Sequence, residues 1–119
     1  MASIKEVVTE IYQALKTVDG VLVYQAVVAD MATPAVVMGV PSINFIRGCP
    51  VDGVLQLYLV VSADSKNTDS LYRLLPEVAQ AVEDLTDVAE VSSASFNFLE
   101  TGTASLPCYT FEVQISLGG

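Results

Sequence analysis

The first apolar residues of the chain fall on one helical stripe. Ile4, Val7, Val8, Ile11, Tyr12 and Leu15 follow the i, i+3, i+4, i+7, i+8 spacing of a single helix face. Ser3 and Glu6 stand three apart at its start as a capping box, in which hydroxyl and carboxylate each satisfy a free backbone donor. The Asp19-Gly20 step is expected to end the run. The texture then changes to β-branched residues. Val21–Val28, Ala35–Val40 and Ile43–Arg47 read as short strands, the last two separated by Val40-Pro41-Ser42, and Cys49–Gly53 reads as a turn on its proline and its Asp-Gly step. Val54–Val61 is nearly all apolar, as expected of a central strand covered on both faces.

Helical spacing returns after the polar stretch Asp64–Thr68. Leu71, Leu74, Leu75, Val78, Val82 and Leu85 share one stripe, while Asp69, Arg73 and Glu77 are spaced for weak i, i+4 pairs on the other side. Pro76 lacks a donor and is expected to kink this helix or restart it. Near the end, Tyr109, Phe111, Val113, Ile115 and Leu117 alternate strictly with polar residues, giving one buried and one wet face. Val88–Leu99 alternates less cleanly, with Ala94, Phe96 and Phe98 on one face, and Thr101–Pro107 reads as the hairpin loop between the two strands. The predicted architecture is α+β, a two-layer sandwich in the order α-β-β-β-α-β-β, with room for a fourth strand between the helices. Its sheet is mostly antiparallel or mixed, and both helices lie on one face. Residues 1–119 read as a single domain, without repeat or linker.

Composition sharpens this picture. Hydrophobic residues make up 52 % of the 119, and exchanging the 5 tyrosines for the 7 glycines in that count keeps it above the usual ~45–50 %. Small domains bury the smallest share of their surface, so the excess points either to a valine-rich core or to an obligate oligomer. The longest charge-free run, Met31–Ile46, is broken by two prolines and a glycine and is too short to span a bilayer. The first residues have no signal-peptide pattern, and a cytoplasmic product is expected.

The formal charge is −9, from 14 acids and 5 scattered bases. That balance excludes ordinary binding to a phosphate backbone and disfavours anionic membranes. The chain has no histidine, so the common general base and zinc ligand are missing. Cys49 and Cys108 form no C-x-x-C motif and read as two reduced thiols. There is no glycine-rich phosphate loop.

Three features remain as candidates. Glu77, Glu83, Asp84, Asp87 and Glu90 crowd one segment with no base among them, and the last four read as the candidate acidic surface. They read as a solvated acidic face, as a surface that repels a polyanion or meets a basic partner, or as a Ca²⁺ or Mg²⁺ site of unfamiliar spacing. Arg47 closes the apolar run from Ile43 to Ile46, and Ile43, Phe45, Arg47 and Tyr58 are candidate subunit or partner contacts. Cys49, two residues from that arginine, is either a plain turn cysteine or a mildly activated thiol.

The capped first helix, the strands, the Thr68-Asp69-Ser70-Leu71-Tyr72 lead into a second helix, the closing hairpin and the valine-rich acidic composition together resemble one family. It is the tail terminator proteins of long-tailed (siphovirus) bacteriophages, with the nearest likeness to those of phages infecting actinobacteria. The resemblance covers the chain as architecture and texture, since the family has no catalytic motif to match. It implies a structural virion protein without catalysis or cofactor, assembled in the host cytoplasm and residing at the tail–neck region of the virion. Such a protein forms a homo-oligomeric ring, six-membered in the family, that caps the tail tube, ends its polymerisation and presents a surface to the head–neck connector. Its partners would be the tail tube protein and the connector proteins, with DNA passing through the lumen unbound and no membrane involved. Six copies would carry a formal charge of about −54, and Glu83, Asp84, Asp87 and Glu90 would suit an acidic lumen wall. Neighbouring neck and tail-completion proteins share this texture. A small cytoplasmic α+β ligand-binding module is the alternative of another class.

Overall fold

A computed structural model describes residues 3–26, 32, 34–61, 68–85, 88–102 and 105–117, apart from the side chains of 68–71. The element order is α1 (Ile4–Leu15), β1 (Leu22–Tyr24), β2 (Ala35–Met38), β3 (Ser42–Ile46), β4 (Cys49–Val60), α2 (Thr68–Glu83), β5 (Ala89–Glu100) and β6 (Ser105–Ser116). The fold is the expected α+β sandwich, with four strands rather than three between the helices among the described residues. The expected first strand is shorter than its β-branched sequence suggests. It ends at Tyr24, and Val27 and Val28 lie outside the described residues.

Ser3 caps α1 as its sequence predicts, its Oγ accepting the Glu6 N–H at 3.1 Å. The helix stops at Leu15, before the Asp19-Gly20 step. The Thr17 hydroxyl donates to the Ala14 carbonyl at 2.6 Å, and the Thr17 and Val18 N–H groups fold back on Ala14 and Leu15. Such tightened bonds serve the carbonyls a helix end leaves free. Gly20, at φ +87°, then turns the chain toward β1. Helix α2 runs continuously through Pro76, which sits on its exposed side and leaves the Tyr72 carbonyl without its usual intrahelical donor. The expected restart at this proline does not occur, because Leu74, Val78 and Val82 hold one uninterrupted buried stripe across it. The side chains of Leu71 and Asp69 lie outside the described residues.

The sheet runs in the order β1-β2-β4-β6-β5, and β3 lies beside β2 along the same edge of β4. β1 and β2 are parallel and the remaining pairings are antiparallel. Both helices cover one face. Val7, Ile11 and Leu15 of α1 and Leu74, Val78 and Val82 of α2 pack on Val36, Leu55, Leu57, Leu59, Phe111, Val113 and Ile115. On the opposite face, Val37, Val60 and Cys108 form a small second cluster beside Tyr24, Tyr58, Leu99 and Leu106. The rest of that face is mostly polar, with Gln56, Ser93, Ser95, Asn97, Glu112 and Gln114 exposed. Strand β4 is therefore buried on both faces only toward its C-terminal end, whereas all four residues of β2 are buried.

Phe111 is the largest of the fully buried side chains. Phe111→Ala is expected to cost about 3–5 kcal/mol, a large part of the roughly 5–15 kcal/mol of a typical domain. Gln114→Ala on the wet face should cost under about 0.5 kcal/mol. Urea midpoints of the two variants check the contrast.

Candidate functional site

Strands β3 and β4 form a hairpin whose turn is Arg47-Gly48, between the paired residues Ile46 and Cys49. Arg47 has φ +52° and Gly48 φ +79°. Two left-handed residues in a two-residue loop make a type I′ turn, the kind whose twist matches the flanking strands. The turn expected over Cys49–Gly53 is thus misplaced: those residues belong to β4. Pro50 is accommodated beside a bulge, where Phe45 pairs with Pro50 and Asn44 with Asp52, leaving Val51 as the extra residue. Gly53 serves close packing instead of a turn, because a Cβ there would overlap the Ser42 carbonyl oxygen. The Asn44 amide donates to the Asp52 carboxylate at 2.6 Å and ties the two arms together.

The tip of this hairpin is apolar and cationic at once. Phe45 is 59 % exposed and Ile46 61 %, with Arg47 exposed between them and Gly48. Of the four candidate contact residues, the structure brings Phe45 and Arg47 together here. Ile43 tucks against the main core, and Tyr58 lies half-buried on the opposite sheet face, its hydroxyl donating to Gln56 Oε1 at 2.8 Å.

A second exposed surface lies at the far end of the β5–β6 hairpin. The loop is shorter than expected, since Ser105, Leu106 and Pro107 belong to β6. Val91 pairs with Val113 and Ser93 with Glu112, so Ser92 is an extra residue. That bulge explains the imperfect alternation in the sequence. It puts Ala94, Phe96 and Phe98 opposite Phe111, Tyr109 and Pro107, on the same face as Ala89 and Val91. Beyond the reach of the helices this face is open, and Phe96 and Phe98 are 51 % and 61 % exposed. Phe96 meets Phe98 and Tyr109 edge-on, at ring separations of 5.4 and 5.7 Å. Glu100 continues the strip on the same face and accepts the Ser105 hydroxyl at 2.8 Å. Only the alternation from Ala94 to Glu100 hinted at this strip. Its exposure follows from the helices ending short of this part of the face.

Of the candidate acids, Glu83, Asp84 and Glu90 point in different directions. Glu83 turns inward and accepts the Val91 N–H at 2.8 Å, bracing the start of β5. Asp84 accepts from the Gln80 amide at 2.7 Å. Glu90 pairs with Gln114 on the sheet face away from the helices, and Asp87 lies outside the described residues. Asp19, Glu77 and Asp84 line an open cleft of about 310 Å³ between the end of α1 and α2, where Glu77 also meets Arg73 at 3.5 Å. Among the described residues, no cluster of three acids or thiols is close enough to hold a metal ion, and no buried side-chain polar atom lacks a partner.

Both thiols are free. Cys49 is exposed at the hairpin tip. Cys108 is buried opposite Val60, at the other end of β4, so the strand length separates the two by tens of ångströms. Burial pushes the Cys108 thiol above its ordinary value of 9.0, against a smaller downward pull from the Thr110 hydroxyl. A raised thiol favours the folded state fully below the unfolded value, and that contribution fades as pH rises through the folded one.

Compared with models of known protein families and with curated proteins, the sequence matches none.

Two measurements check this geometry. In the native protein one thiol, Cys49, is expected to react quickly with a thiol reagent, and the second only on unfolding; Cys49→Ser should abolish the fast phase. Arg47→Asn should stabilise the chain by roughly 0.5–1 kcal/mol, because asparagine tolerates the left-handed turn position better than arginine. A thermal melt should show that as a rise of about 2–6 °C.

Proposed function

We propose that this chain is a non-catalytic, ring-forming subunit of the tail-terminator kind. In this reading six copies assemble on the finished end of a phage tail tube, end its growth and join it to the head–neck connector. DNA passes through the ring without specific binding. The observation that carries the reading is a pair of apolar hairpin ends, Phe45-Ile46 and Phe96 with Phe98, on a subunit whose own core is already complete. Exposed apolar surface of this kind is characteristic of assembly contacts. The ends differ from each other, which favours head-to-tail contacts, and these close into rings when the rotation allows. The formal charge of −9 per copy supports the second half of the reading, since an acidic ring repels a phosphate backbone.

Electron microscopy of negatively stained tail tubes mixed with the purified protein tests the proposal. Ring-shaped caps at one tube end, with elongation halted when tube protein is added, are the expected result. Bare ends that keep growing at saturating protein would overturn it.

A further inference from the structure

The two exposed ends are complementary. The β3–β4 tip presents two apolar side chains and a cation, Phe45, Ile46 and Arg47. The β5–β6 strip presents Phe96 and Phe98 and ends in a carboxylate, Glu100. We propose that the tip of one copy docks on the strip of a second copy, with Phe45 against the two phenylalanines and Arg47 meeting Glu100. The proposal deepens the ring reading and rests on it for the use to which the contact is put.

Three observations commit the strip to a second copy of this chain. The first is charge. Copies carrying −9 each repel one another, yet Val91–Leu99 has no ionisable side chain, so another acidic subunit can approach there. The cation that arrives on the tip has its counterpart at the end of the strip. The second is position. The tip lies at the Cys49 end of β4, while Phe98 pairs with Pro107, beyond the Val60–Cys108 pair at the other end. A twelve-residue strand is about 40 Å long, so a tip cannot reach the strip of its own chain. The contact is therefore between copies and head-to-tail. The third is the edge itself. Strand β5 is the last in the sheet, and Val91–Leu99 has none of the lysines or prolines that usually guard such an edge. A docked copy would shield it.

Native mass spectrometry and sedimentation of the full chain over a concentration series test the contact. A tip variant, Phe45→Ser with Arg47→Glu, and a strip variant, Phe96→Ser with Phe98→Ser, should each need at least about tenfold more protein than wild type to associate. Mixed together they should form a one-to-one dimer that grows no further, because one intact tip then meets one intact strip. Charge exchange gives a milder check less exposed to misfolding. Arg47→Glu and Glu100→Arg should each weaken association about tenfold, and the double exchange should return it to within about threefold of wild type. Association that survives the tip variant but not the strip variant would mean strip-to-strip pairing or another partner, and would overturn the proposal. So would a mixture that stays monomeric, a double exchange without recovery, or a wild-type chain that is monomeric throughout. Failure of the tail reading is distinguishable: rescue by exchange in a protein that never caps tubes leaves the contact standing. Tube capping that both variants retain removes the contact and leaves the tail reading.

Discussion

The pairing of β4 with β6 governs the rest of the molecule. It runs over nine residue pairs, from Asp52–Ser116 to Val60–Cys108. Because side chains alternate along a strand, this one register turns Leu55, Leu57 and Leu59 to the same face as Phe111, Val113 and Ile115. A slip of one residue would send one row of three to the wet face. The remaining elements attach to this pair: β2 and β3 along the free edge of β4, β5 along the free edge of β6, and both helices on the shared apolar face. Strands of twelve residues reach about 40 Å, whereas helices of twelve and sixteen reach only about 18 and 24 Å. The sheet therefore outruns its cover, and the uncovered ends follow from that mismatch of rise per residue.

Single extra residues keep the long strands in phase. Met38 pairs with Leu57 and Ser42 with Val54, so four steps on one arm face three on the other, and Val40 is thrown out to solvent at 91 % exposure. Val51 and Ser92 are the extra residues in β4 and β5. Each insertion bends the strand and resets which residues face the helices, so local sequence that breaks alternation still yields a continuous apolar face. Glu83 reinforces one of these sites by accepting the Val91 N–H just before the bulge.

The same devices mark what was legible in the sequence. Periodicity sufficed for α1, for α2 from Leu74 on and for β6 from Phe111 on, where one face is buried and no residue is inserted. It failed for Cys49–Gly53, because proline and Asp-Gly are turn signals in general but here belong to a bulged strand arm, while the true turn uses Arg-Gly. It also misjudged β4, whose apolar run suggested burial on both faces although only its last residues have a second cover. Of the candidate contacts, Phe45 and Arg47 were readable as a pair from adjacency. Ile43 and Tyr58 were not separable from them, since which face a residue occupies depends on the register of a partner strand. Phe96 and Phe98 were legible as a row, but not as surface. That depends on where the helices end over the sheet, which no local pattern contains. The acidic segment looked like one feature because its residues are close in sequence, and the fold divides its described members between a helix, a backbone brace and the opposite sheet face.

Strand order has a consequence for how the chain is made. β6 follows the other elements in sequence and lies inside the sheet, between β4 and β5. While the earlier segments leave the ribosome, β4 lacks one neighbour and β5 has none. Closure of the sheet must wait for β6 and depends on its pairing with β4, distant in sequence, the arrangement that slows folding and prolongs the exposure of apolar surface. Through that interval the unfinished chains share the same sign of charge. The acidity of the finished protein thus also keeps its incomplete copies from collecting one another.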